Sequence, residues 1–128
     1  MLFRSTGAAV ADIDRDGVLE SLIAHGEGQE QPLRLFKARN ARGNHWLRVR
    51  PLTRFGAPAR GAVARLEANG RRFTKSIDGG SGYLCQMEPV AHFGLGPTPT
   101  VKRLTITWPD GHSLAIDSPG VDRMLTVP

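Results

Sequence analysis

Sulfur and aromatic rings are scarce in this chain. Cys85 is the one cysteine, so no intrachain disulfide can form, and the thiol count neither places the chain in an oxidising compartment nor excludes it from one. Two Trp, one Tyr and five Phe offer too little ring surface to stack successive bases. No segment approaches the roughly 20 apolar residues of a membrane span. The start Met1-Leu2-Phe3-Arg4-Ser5-Thr6-Gly7 has no apolar run of the length a signal peptide needs. Read as given, the chain is expected to be soluble, not inserted in a membrane and without a visible export address. N-glycosylation acceptors are missing too, since Asn40, Asn44 and Asn69 are followed two residues later by Arg, Trp and Arg. Nor does any window show a long 3.6-residue apolar period with caps, so helices should be short or absent.

What the chain does have is punctuation and positive charge. Its 128 residues allow one main core, and 15 Gly with 9 Pro imply frequent turns between short strands, an all-β class. Lys and Arg outnumber Asp and Glu by 17 to 12. The basic residues are scattered, so nucleic acid is not expected as a partner; a glycan- or polyanion-binding face built on Arg48, Arg50, Arg71 and Arg72 is the alternative function to weigh.

Apolar runs mark the strands. Gly7–Ala11, Leu22–Ala24 and Leu33–Phe36 read as three short strands, with a carboxylate-rich loop between the first two. A polar stretch at Asn40–Asn44 suggests a boundary that divides the chain into 1–39 and 40–128. Beyond it, Leu47 and Val49 alternate with Arg48 and Arg50. Asn69-Gly70, between Ala62–Ala68 and Arg71–Ile77, suits the positive φ angles of a type I′ hairpin. Pro109-Asp110-Gly111 turns a second hairpin whose Leu104, Ile106 and Trp108 should face the core, and Met124–Val127 closes the chain as a strand. The second part is expected to be a small antiparallel sandwich or barrel.

The strongest chemical signal is Asp12-Ile13-Asp14-Arg15-Asp16-Gly17-Val18-Leu19-Glu20. Four carboxylates within nine residues can be held in a folded loop only if a cation offsets their repulsion. Alternate spacing turns Asp12, Asp14 and Asp16 inward, Gly17 permits a sharp turn, the Val18 carbonyl adds a ligand and Glu20 closes the shell. An all-oxygen set favours Ca²⁺. An EF-hand is excluded, because its twelfth loop position is Ile23 here and the flanks are strands.

Catalytic alternatives carry less. Gly79-Gly80-Ser81-Gly82 lacks a phosphate-binding Lys and a following helix, and reads as a tight loop. Cys85 and His92 have no third orienting residue, and Cys85 reads as structural. His25, His45, His92 and His112 share no zinc-ligand spacing. Glu67, Asp78, Glu88 and Asp110 offer no pairing that sequence alone can place. No enzyme activity is expected.

Two family resemblances emerge from these residues. Ala11–Glu20 resembles the calcium loop of an FG-GAP (VCBS-type) repeat, the blade unit of integrin-like β-propellers, and Gly7–Ala38 covers one such repeat. Asn44–Val49, Asp78–Cys85, His92–Gly96 and Trp108–Gly111, in that order, resemble the ASPIC/UnbV domain. The resemblance implies a secreted or matrix-associated protein that binds calcium through its propeller and acts through contacts with a protein partner, with no catalytic residue. Three departures stand out: a single blade-like repeat, no export signal or EGF-like cysteines, and a basic rather than acidic balance. The chain is therefore expected to be the C-terminal portion of a longer propeller protein, with unpaired blade edges that invite self-association.

Overall fold

The computed structural model describes residues 5–25, 32–39, 43–80 and 85–128. Every regular element among them is a β-strand, in the order β1 (Ser5–Ala11), β2 (Glu20–His25), β3 (Arg34–Lys37), β4 (His45–Pro51), β5 (Val63–Ala68), β6 (Arg71–Ser76), β7 (Ala91–Gly96), β8 (Arg103–Thr107), β9 (Ser113–Asp117) and β10 (Arg123–Val127). The all-β class expected from turn chemistry is what the chain adopts. It forms two compact units, 1–41 with 79–88, and 42–78 with 89–128. The stretch Gly79–Glu88 thus groups with the N-terminal unit rather than with the segment around it. Asn40, Arg42 and Ser81–Leu84, on which parts of the expected boundary and loop fall, lie outside the described residues.

The N-terminal unit is a three-stranded antiparallel meander in the order β1-β2-β3. Ala11 faces Glu20 and Glu20 faces Lys37, so one row across the sheet runs from the end of β1 through the start of β2 to the end of β3. The outer side of β1 meets the returning segment, where the Cys85 thiol donates to the Ala8 carbonyl at 2.8 Å and the Val10 N–H donates to Met87 Sδ at 3.2 Å. Gly80 allows that return: its φ is +107°, and an added Cβ would sit 3.0 Å from Gln86 Cα. β3 bonds only to β2 among the described residues, and Leu33, Leu35 and Phe36 beside its free edge are exposed.

The C-terminal unit is a small sandwich. One sheet has the order β10-β4-β7, the other β6-β5-β8-β9. Leu47 and Val49 of β4, Phe93 and Leu95 of β7 and Val127 of β10 share a core with Ala64 and Leu66 of β5 and Leu104 and Ile106 of β8. The period-2 alternation of these strands places that apolar set on the inner faces. Asn69 at φ +48° and Gly70 at φ +68° make the β5–β6 turn, as Asn-Gly predicts. Leu104, Ile106 and Trp108 are buried as expected, and the Trp108 indole N–H donates to the Leu52 carbonyl at 2.8 Å.

Two features depart from the sequence expectation. β10 runs parallel to β4, not antiparallel. These strands are remote in sequence and no turn joins them, so local turn chemistry cannot set their direction; residues 118–122 cross from β9 on one sheet to β10 on the other. Arg48, expected on an outward charged face, is only 3% exposed, and Arg50 is half-buried.

The β8–β9 hairpin carries exposed ion pairs. Arg103 Nε donates to Asp117 Oδ1 at 2.6 Å, and that hydrogen bond holds the Asp117 carboxyl below the usual carboxylate range. In the turn, Asp110 is held low by its hydrogen bonds from the His112 side chain and backbone. His112 stacks on Trp108 with ring centroids 4.3 Å apart.

Two outcomes follow for this unit. Leu66→Ala removes a fully buried side chain at the centre of the core and should lower unfolding free energy by about 2–5 kcal/mol in urea melts followed by tryptophan fluorescence. For Asp110 and Asp117, a lowered folded pKa means stabilisation that is present above the ordinary value of 3.8 and is lost as pH falls through the folded value. The double variant D110N/D117N should therefore lose less stability than the wild type on acidification from pH 5 to about pH 2, as read from thermal melts; parallel acid limbs would count against these pairs.

Candidate metal centre

The loop between β1 and β2 begins with Asp12, directly after the last residue of β1, and ends with Glu20, the first residue of β2. Because Ala11 and Glu20 are cross-strand partners, the antiparallel pairing brings the two ends of the loop together. The excursion between them needs two left-handed residues, Arg15 at φ +63° and Gly17 at φ +84°. Gly17 was foreseen from its type; Arg15 was not, since a non-glycine residue at positive φ leaves no signature in sequence.

The loop folds onto its own carboxylates. Ile13 N–H donates to Glu20 Oε2 at 2.8 Å, Gly17 N–H to Asp12 Oδ2 at 3.2 Å and Val18 N–H to Asp16 Oδ1 at 2.8 Å. Each bond stitches one side of the turn to an acidic side chain, and Asp12 and Glu20 are almost completely buried by it, at 5% and 3% exposure. Burying carboxylates side by side is costly unless positive charge or donors compensate.

Of the five residues expected to bind a cation, Asp12, Asp14 and Glu20 bring one carboxylate oxygen each to within 4.8 Å of one another. Asp16 is turned differently: one oxygen accepts from Val18 N–H and the other from Lys37 Nζ at 2.8 Å. Val18 is tied to the loop through its N–H. The donor set is all oxygen, as a hard divalent ion requires, and Glu20 Oε1 is buried with no hydrogen bond. The residues present therefore fit a calcium-type ion.

Lys37 is the member that the spacing of the acidic residues did not reveal. It stands on β3 opposite Glu20, and cross-strand partners project to the same face. Its ammonium hydrogen-bonds Asp14 Oδ2 and Asp16 Oδ2 and lies 3.6 Å from Glu20 Oε1. These hydrogen bonds push the Lys37 pKa up, and Lys37 in turn, with the Val18 N–H, holds Asp16 below the usual carboxylate range. Only the β2–β3 register, which spacing along the chain does not encode, identifies it.

The other candidate features have ordinary structural partners. The Cys85 thiol is engaged by the Ala8 carbonyl. His45 pairs with Asp122 at 2.7 Å, and His92 stacks on Trp46 with centroids 6.4 Å apart. Of the four arginines proposed as a polyanion face, Arg48 is buried, while exposed Arg72 and nearby Lys102 lie 3.3 and 3.9 Å from Glu67, which offsets their charge. A groove of about 350 Å³ with a mainly apolar wall opens on the C-terminal unit beside exposed Phe55, lined also by Arg54, Arg60, Trp108 and Pro109.

Comparison with known proteins finds a family match over the C-terminal part of the chain. Residues 53–128 match the family described as ASPIC and UnbV. Cartilage acidic protein 1 of Xenopus tropicalis is 53% identical over 109 residues, which cover 84% of this chain and 17% of that protein. The human and mouse proteins of the same name are each 51% identical over 109 residues, covering 84% of this chain and 16% and 17% of theirs. The match thus spans about a sixth of the length of these curated relatives. With more than half of its residues matched by one family, the chain belongs to the ASPIC and UnbV family.

Proposed function

We propose that this chain is a calcium-binding, non-enzymatic extracellular module that works through contacts with a protein partner, its N-terminal unit an FG-GAP-type blade and its C-terminal unit an ASPIC/UnbV domain. The observation that carries the reading is the all-oxygen cluster of buried Asp12 and Glu20 with exposed Asp14, in which Glu20 Oε1 lacks a hydrogen bond. Bound calcium would supply the positive charge that two buried carboxylates need. Asp12, Asp14 and Glu20 would hold it, with Asp16 and the Val18 carbonyl completing the shell.

In this reading the chain's own residues do mechanical work. Asp12 and Glu20 close the β1–β2 loop through Gly17 N–H and Ile13 N–H, so neutralising them fixes the two strand ends against each other. The rigid edge then available for contact is β3, with Leu33, Leu35 and Phe36 exposed beside it, and the same free edge is where self-association would occur. An extracellular setting is supported by the likeness to cartilage acidic protein 1. A structural role for Cys85, engaged by Ala8, supports the non-enzymatic reading. Acidic glycans are less favoured as partners, because Arg48 is buried and Glu67 offsets Arg72 and Lys102.

Calcium in the millimolar range should raise the melting temperature of the wild type and chelator should reverse the rise. At calcium one hundred times Kd the gain is about 2.7 kcal/mol. The double variant D12A/D14A should show no calcium-dependent shift while keeping the β-type circular dichroism of the C-terminal unit. An equal shift in that variant, or none in the wild type, would falsify the reading.

A further inference from the structure

The acidic loop already contains a cation of its own, and it comes from a strand two elements away. Lys37 Nζ binds Asp14 and Asp16 by hydrogen bonds and stands 3.6 Å from the buried Glu20 Oε1. Two of these three carboxylates, Asp14 and Glu20, belong to the three residues that each bring an oxygen within 4.8 Å of the others. An ammonium in contact with those carboxylates and a divalent ion bound by them compete for the same two groups. Position is set by the backbone: Lys37 faces Glu20 in the β2–β3 register, so the side chain reaches the loop along the sheet rather than by a chance surface excursion.

We infer that Lys37 is a built-in counter-cation of the Asp12–Glu20 loop, and that calcium enters only by displacing it. This inference rests on the calcium reading of the same loop. It explains how the loop is held without metal: charge-assisted hydrogen bonds to Asp14 and Asp16 offset part of the repulsion among the carboxylates. The offset is incomplete. Four carboxylates against Lys37 and Arg15 leave the segment net negative, so a divalent ion is still attracted, but against a resident competitor. The consequence is a calcium site weakened by design, suited to surroundings rich in calcium, whose filling releases the Lys37 side chain at the free edge of β3.

The test is calorimetric titration with CaCl₂ of the full chain as wild type, Lys37→Met, Lys37→Gln and Lys75→Met. Lys37→Met removes the competing charge and should tighten calcium binding by about tenfold or more, the scale of two charge-assisted hydrogen bonds no longer broken on binding. Lys37→Gln should tighten it in the same direction and keeps the test open if the methionine variant does not fold. Lys75→Met removes the same formal charge from β6 and should leave the affinity within about twofold of wild type. Equal or weaker calcium affinity in both Lys37 variants overturns the inference while leaving the calcium site standing, as does equal tightening by Lys75→Met. Absence of saturable heat in the wild type and in both Lys37 variants overturns the calcium reading and this inference together.

Discussion

Everything in the N-terminal unit turns on the need to neutralise carboxylates that the β1–β2 pairing forces together. Asp12 follows the last residue of one strand and Glu20 begins the next, and the Ala11–Glu20 register holds them close. Their burial is possible because each accepts a backbone N–H from the loop and because a cation can stand among them. The sheet row Ala11–Glu20–Lys37 supplies one such cation from within. A three-stranded meander has little core to stabilise it, so the electrostatics of its loop weigh more than they would in a larger sheet.

The C-terminal unit obeys a different constraint. Its two sheets are held by aliphatic and aromatic side chains on their inner faces, and, apart from buried Arg48, its ion pairs include exposed ones of modest value. The Trp108 indole links the core to the backbone at Leu52, and His112 covers the ring from outside. The family match of residues 53–128 covers β5 to β10, which include all four strands of the second sheet.

Local chemistry made much of this legible in advance. Asn69-Gly70 and Pro109-Asp110-Gly111 act over a few residues, and so the hairpins they turn were placed from sequence, as were the inward Leu104, Ile106 and Trp108. The acidic loop was legible for the same reason, since Asp12, Asp14 and Glu20 are brought together by one turn. Long-range register was not. β7 escaped notice because Gly94 and Gly96 fill its outward positions and blur the alternation that its buried Ala91, Phe93 and Leu95 would otherwise show. The parallel β4–β10 pair depends on a crossover, the return of Cys85 and Met87 to β1 on a contact across much of the chain, and Lys37 on which residue of β3 faces Glu20. Arg48 misled because an alternating strand normally turns its charges outward, whereas this one is buried.

Diffraction from crystals grown in millimolar calcium, with the anomalous signal of the ion recorded, tests the central claim most directly. One ion is expected, bound by oxygens of Asp12, Asp14 and Glu20 at about 2.3–2.6 Å, with the Lys37 ammonium withdrawn from Asp14. A loop with no anomalous peak and with Lys37 still hydrogen-bonded to Asp14 and Asp16 would contradict it.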